Sequence, residues 1–397
     1  MPDTYFNIQH DWQKDVVFKK KWKTSILTGS TGKEQRSALY TWPRRSVSGS
    51  LHQMSYQESA QIKRKIYKYL HSTWGAPLWQ DVAYLTAGAN AGQATINVNT
   101  ADYTNFIPLS FCILFNEDND YEIIKISSLT DTIITAATNL VDTWPAGTQI
   151  YPVINARITG QQKHKSSTNQ TGTLNIEADE TFEIDNPAPA YSEQTPTFSQ
   201  YLEKYVFNIK PNWAREPSQI VNHATDFLQF LGLGYAETKT DEPVMRFDFD
   251  YFCVNRQKIN EIITFFDSCQ GRLQSFWIPT WQDDILIIAP ISINDTSITI
   301  ENIEYTDFWL NNEMFGRYLY FQMPGGNISI KKIVSAPSST VITLDEGMEY
   351  ACTQDQLSGL SVSFLALARF SLDEIKVNYS TSHSGHITLG FQTVRDI

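Results

Sequence analysis

The chain has 397 residues, more than a single core normally serves, so at least two domains are expected. Hydrophobic residues make up 42% and aromatics 13%, with isoleucine, threonine, tyrosine and phenylalanine prominent, which favours half-buried strands over helical bundles. A net charge of -12, from 43 acidic against 31 basic residues, excludes a protein that grips nucleic-acid phosphates with clustered Lys and Arg.

The opening segment, MPDTYFNIQHDWQKDVVFKKKW, lacks the apolar core of a signal peptide, and no run reaches the ~18 apolar residues of a membrane span. The expectation is a chain that is neither exported by the Sec route nor inserted in a membrane. At 29–33, GSTGK looks like part of a phosphate loop, but Leu27 stands where its first Gly belongs and Glu34 replaces the magnesium-holding Ser or Thr. ALYTWPRRSVSGSL (38–51) reads as a strand. Ser55 and Glu58 then form a capping box that opens a helix with the apolar stripe Ile62, Ile66, Tyr69 and Leu70. A strand ending in PLWQD (77–81) follows, then short strands in 94–106, 121–126 and 131–137, an Ala-Arg strand at 156–157 and a hairpin strand at 171–179. EADETFEIDNPAPAYSEQTPTFSQ (177–200) is acidic and carries three prolines, as an extended connector would.

The second half repeats this order. VMRFDFDYFCV (244–254) alternates large and polar residues as a strand does, Asn255 is an N-cap, and Ile259, Ile262, Ile263 and Phe266 make the helix stripe that Gly271 ends. PTWQD (279–283) answers PLWQD. Phe6-Asn7-Ile8 matches Phe207-Asn208-Ile209; Trp12 falls on Trp213 and Arg45 on Arg246, both 201 apart; Trp79 falls on Trp281, and Asp81 on Asp283, 202 apart. The spacing drifts to 208 at Thr135 and Thr343 and to 212 at Ala156 and Ala368, as loop-length changes inside a shared fold produce. The expected architecture is mainly β with one helix per repeat, in two tandem tube-like β-sandwich domains. The first comprises 1–83 plus 158–180 and is interrupted by a small β-barrel or sandwich module at 84–157. A linker spans 181–206. The second comprises 207–285 plus 370–397, interrupted by a like module at 286–369.

No catalytic, cofactor or metal site is expected. Of seven histidines only His383 and His386 lie close, on a Ser/Gly turn without a third ligand, and no GxSxG elbow is present. Cys112, Cys253, Cys269 and Cys352 form no CxxC pair and sit in apolar segments, as buried free thiols do. Asp81 and Asp283 belong to separate copies, so each is expected to cap its own strand-end turn through nearby backbone, while Trp79 and Trp281 are expected as core plugs at the mouths of the modules.

TGKEQRSALYTWPRRSVSGSL, a capped helix and then GAPLWQD resemble the order seen in tailed-phage distal tail proteins and their relatives in gene transfer agents. The residues that carry it are Gly32, Glu34, Gln35, Arg36, Tyr40, Pro43, Arg44 and Trp79 to Asp81. The second copy keeps Arg246 and Pro-x-Trp-Gln-Asp but has TKTDEPV in place of the Gly-x-Glu-Gln-Arg stretch. The resemblance implies a β-sandwich with a flanking helix, repeated in a ring round a channel and carrying an outer β module. It implies a structural, non-enzymatic component of a phage tail tip or baseplate in the virion, made in the host cytoplasm, that continues the tail tube. Its partners would be itself and the tail tube, hub and fibre proteins, with DNA only passing through an acidic lumen. Two tube-like domains per chain fit either a trimer with pseudo-sixfold symmetry or a hexamer of two stacked rings. The rival expectation, drawn from ten Trp and nineteen Tyr, is a carbohydrate-binding or carbohydrate-cleaving tail protein that contacts the host surface.

Overall fold

The computed structural model describes residues 2, 4–29, 32–53, 55–116, 120–159, 164–181, 198–222, 225–230, 233–238, 243–310 and 315–396. Most of the expected connector, residues 182–197, lies outside them. The chain is mainly β, with antiparallel sheets and few helices.

The first half runs β1 (Thr4–Tyr5), β2 (Val16–Lys21), β3 (Thr24–Thr28), β4 (Glu34–Ala38), β5 (Arg44–Gln53) and α1 (Tyr56–Tyr69). It continues with β6 (Trp74–Pro77), β7 (Ala83–Tyr84), β8 (Thr95–Asn97), β9 (Phe111–Phe115), β10 (Tyr121–Leu129), β11 (Ile133–Ala136), β12 (Gln149–Ile158), β13 (His164–Ser166) and β14 (Gly172–Glu180). A hairpin of β15 (Gln200–Tyr201) and β16 (Lys204–Tyr205) leads into the second half. There follow β17 (Ser218–Asn222), β18 (Thr225–Phe230), β19 (Leu233–Thr238), β20 (Val244–Cys253), α2 (Arg256–Ser268) and β21 (Phe276–Pro279). Then come β22 (Ser297–Thr299), α3 (Tyr305–Phe308), β23 (Tyr318–Gln322), β24 (Ile328–Ser338), β25 (Val341–Leu344), β26 (Ser361–Phe370), β27 (Glu374–Tyr379) and β28 (Gly385–Thr393). The short α3 and a 3-10 turn at Gln354–Gly359 are additions to the expected single helix per half.

The two principal helices start as their sequences dictate. Ser55 Oγ accepts from the Glu58 N–H while Glu58 returns a bond to the Ser55 N–H, and the Asn255 side chain accepts from the Lys258 N–H. α2 ends with Gln270 in the left-handed region and the Gly271 N–H bonded back to Phe266 O.

Strand pairing recurs between the halves. The pairs β2–β5, β5–β14, β13–β14, β12–β14, β6–β12, β9–β12, β9–β10, β10–β11 and β8–β11 are answered by β17–β20, β20–β28, β27–β28, β26–β28, β21–β26, β23–β26, β23–β24, β24–β25 and β22–β25. Isolated bridges recur too: Leu85–Val98 and Ala89–Trp144 correspond to Ile287–Ile300 and Ile291–Cys352. In the first half Tyr5 lies over Gly75, where a Cβ would strike its ring; at the corresponding parallel contact Val206 faces Trp277, so the large residue has changed strands.

Two sequence expectations change. The first module curls round in the order β7-β12-β9-β10-β11-β8, and single bridges bring its ends together without closing a barrel. As the Ala-Arg strands suggest, β12 and β26 each run unbroken from module into host sheet. The end of the expected linker is a docked hairpin: Phe198 and Tyr205 pack on Phe265 and Tyr201 on Trp277, with Leu202 and Glu203 both at positive φ as a tight two-residue turn requires.

The host strands join into one antiparallel sheet in the order β13-β14-β5-β2-β27-β28-β20-β17. The two halves therefore lie side by side and meet where β2 pairs with β27. One face of this sheet is buried under Phe18, Val47, Phe247, Phe249, Val377, Leu389 and Phe391, which belong to a core that crosses the meeting line. The first module has a separate core built on Ile96, Leu114, Ile126, Ile134 and Trp144.

Candidate functional site

The sequence-selected residues separate into buried seam positions and surface positions. Trp79 is buried against Phe115 and Tyr151, and Trp281 against Tyr320, so each plugs the root of its module. Their backbones differ, since Trp281 alone has a positive φ. Trp12 and Trp213 stay exposed in like turns, in which Asp11 and Asn212 side chains accept from the N–H groups of Gln13 and Ala214.

Arg45 and Arg246 are not equivalent. Gln53 lies opposite Gly172, and Cys253 opposite Gly385, which sets the strands 200 apart and places Met245, not Arg246, at the position of Arg45. A one-residue slip turns a side chain to the other face of a strand. Arg45 is accordingly buried, its Nε 3.0–3.1 Å from both Glu180 carboxylate oxygens, whereas Arg246 is exposed beside Asp248.

The expectation that Asp81 and Asp283 bond nearby backbone is also corrected. Asp81 is 0% exposed, accepts from Asn105 Nδ2 at 2.6 Å and pairs with Arg256 on α2 of the other half. Asp283 is exposed and accepts from Ser361 Oγ; its neighbour Asp284 takes the turn-capping role, bonded to Thr280 Oγ1 and the Phe364 N–H. Burial raises the Asp284 pKa despite those bonds.

Asp81 belongs to a set of ionic contacts that pins the first half to the second. Lys20 on β2 pairs with Asp267 on α2, and Trp22 Nε1 donates to the same carboxylate at 3.1 Å. Arg256 is held between the rings of Tyr103 and Tyr379, 5.1 and 5.0 Å from their centres. Burial weighs against the Arg256 charge, yet the adjacent Asp81 carboxylate raises its pKa above the ordinary value. Glu34 receives a fork from Arg369, 2.7 Å to Nε and 2.8 Å to Nη2, and Arg36 pairs with Asp396. Asp373 accepts from the Thr24 N–H at 2.8 Å and from Arg272 Nη2 at 3.1 Å. Burial opposes its ionisation, but the bonds from Arg272 and Thr24 win and hold its carboxyl below the usual range.

Of the residues carrying the family resemblance, Glu34 and Arg36 thus lie in this seam; Gly32 (φ 78) takes the turn before β4, and Gln35 is exposed. Lys20, Arg256, Asp267 and Arg369 were not selected from sequence. Their partners lie 175 to 335 residues away, beyond any local spacing rule. The one signal was Lys20 itself, a charge at an inward-facing position of an alternating strand.

A cavity of about 250 Å³ opens along the seam, lined by Lys20, Trp42, Arg45, Asn105, Thr264 and Asp267. Its cations and carboxylates already hold one another, an arrangement suited to locking two surfaces together. All four cysteines are buried and unpaired. Among the described residues no three of His, Cys, Asp or Glu gather as metal ligands, and no helix is long and apolar enough to cross a membrane. A scan against protein-family models finds no match for the chain, and a search of curated proteins finds none either.

Proposed function

We propose that the chain is a structural, non-catalytic subunit of a phage tail tip or baseplate, a distal-tail or hub-like ring that continues the tail tube. The observation that carries this reading is the side-by-side joining of two like units in one sheet, with a strand at each end that is unshared among the described residues. Such a unit extends by adding copies at its edges, and closing the series removes the edges that an open sheet would expose. Side-by-side halves favour three chains per ring over six chains in two stacked rings. Three chains of eight host strands give a barrel of 24, about 45–50 Å across at the backbone for ordinary strand spacing and tilt, which leaves an open channel.

The polar face of the sheet suits a conduit for DNA. An acidic lumen is the expectation from net charge, but this face is balanced: Lys19 meets Glu177 at 3.0 Å, Lys21 meets Glu374 at 2.8 Å and Arg246 meets Asp248 at 3.3 Å. Cations already satisfied by carboxylates offer little to phosphates, so DNA would slide without sticking. The modules, rooted by Trp79 and Trp281, would face outward and hold peripheral tail proteins.

Gold-labelled antibody against the full chain, applied to intact particles that contain it, tests this reading. Label confined to the tail tip is expected, together with a blank glycan array probed with the full chain. Label on host-contacting fibres away from the tail tip, together with strong glycan binding, would favour the carbohydrate-binding alternative.

A further inference from the structure

The seam inside the chain has a counterpart that the chain leaves open. β2 lies between β5 and β27, whereas among the described residues its counterpart β17 pairs with β20 alone, and every residue of it is exposed, including Ile220 (50%) and Val221 (57%). At the far end β13, the counterpart of β27, pairs with β14 alone among the described residues. An exposed apolar edge strand is a template for pairing, and folded proteins cover such edges.

The helices repeat the contrast. α2 buries Arg256 and Asp267 against the first half, while α1 buries only Ser59 and Ile62 and presents Tyr56 (63% exposed) and Tyr67 (93%). Counting from the matched N-caps Ser55 and Asn255, Tyr56 stands in the place of Arg256 and Tyr67 in that of Asp267. Strand registers place Val221 where the first half has Lys20, because Lys20 faces Arg45 and Val221 faces Met245. The ion pair Lys20–Asp267 thus corresponds to Val221 and Tyr67, and Asp81–Arg256 to Asp283 and Tyr56. Each of these four counterparts is exposed in the single chain.

We propose that β17 of one copy pairs antiparallel with β13 of a second copy in the register of the internal seam, and that Tyr67 and Tyr56 of the second copy close on Val221 and Asp283 of the first. The internal register sets Val17 opposite Asn378 and Phe18 opposite Val377; carried over, it sets Ser218 opposite Lys165 and Gln219 opposite His164. The contact is head-to-tail, so it closes a ring or grows a filament according to the rotation between copies. Closure at three chains rests on the tail-ring reading above; the contact itself rests on the internal seam.

Cysteine cross-linking in the full chain tests the register, since the native thiols are buried and residues directly opposite across strands lie within disulfide reach. Val17→Cys with Asn378→Cys is the control and links within one chain. Lys165→Cys with Ser218→Cys is expected to link between chains and to end in a closed species of three, which neither single variant forms. Tyr67→Ser combined with Val221→Ser is expected to raise the concentration for half-assembly at least tenfold while leaving the melting temperature of the dilute chain unchanged. Rings seen by native mass spectrometry without the Lys165–Ser218 cross-link would overturn the proposed edge and leave the tail-ring reading standing. Linked chains that lengthen without closing would uphold the edge and overturn the ring. A chain that stays monomeric and unlinked at every concentration would overturn both.

Discussion

Helices α1 and α2 follow equivalent strands, begin with equivalent caps and carry an apolar stripe on the same side, yet α2 is enclosed and α1 lies open. Where α2 meets the first half it has Arg256 and Asp267; where α1 meets solvent it has Tyr56 and Tyr67. Burial of these helices is thus set less by the fold, which is common to both, than by what stands beside each. The ionic seam suits a contact made once as the chain folds, because separated buried charges are costly and the two halves are never far apart. An aromatic and aliphatic edge suits a contact between separate chains, whose surfaces must tolerate water before they meet.

Breaking the ionic seam should have the largest effect. Asp267→Ala leaves Lys20 buried without its carboxylate and should cost about 3–5 kcal/mol, whereas Tyr67→Ala at the equivalent place should stay within about 0.5 kcal/mol in dilute chain. Urea denaturation of both variants checks this, and equal losses would erase the distinction between the helices.

His10 offers a second contrast, because the corresponding residue of the second half is Pro211. His10 lies buried against Gly49, where no Cβ would fit, and burial lowers its pKa to about 4. The unfolded chain therefore takes up a proton near pH 6.5 that the folded chain refuses until about pH 4. Stability should be full above pH 6.5 and fall by about 3 kcal/mol as the pH drops to 4. His10→Phe should flatten that decline in melting curves taken across the interval; an unchanged slope would mean that His10 is not its source.

Asp373 contributes less, being partly exposed. Its lowered pKa makes its contribution complete above the ordinary carboxylate range near pH 4 and lost as pH falls through the lower folded value. Asp373→Asn should cost about 1–2 kcal/mol at pH 7, and the difference should vanish once the pH has fallen through the lowered folded value. The smallest effect belongs to the exposed turn residues: Trp12→Ala and Trp213→Ala should each change stability by less than about 0.5 kcal/mol, equally in both halves.

Local chemistry was legible in the sequence where short-range rules govern it. The Ser55–Glu58 capping box, the Asn255 cap and the inward Trp of both Trp-Gln-Asp triplets follow from a few neighbouring residues. Matching identical letters misled at Arg45 and Arg246, because the spacing changes from 201 to 200 between the Asp11 turn and β5, and one residue decides which face of a strand a side chain takes. Asp81 looked like a turn cap because nothing near it in sequence reveals Arg256. The seam as a whole was hidden for the same reason. Its partners meet only once the two halves lie side by side, and no local pattern encodes that placement.

End-on electron micrographs of the purified protein, classified without imposed symmetry, test the side-by-side arrangement most directly. The account predicts a closed ring with six similar lobes round a channel, threefold on close inspection and built from three chains. Two stacked six-lobed rings built from six chains, or isolated two-lobed particles at every concentration, would contradict it.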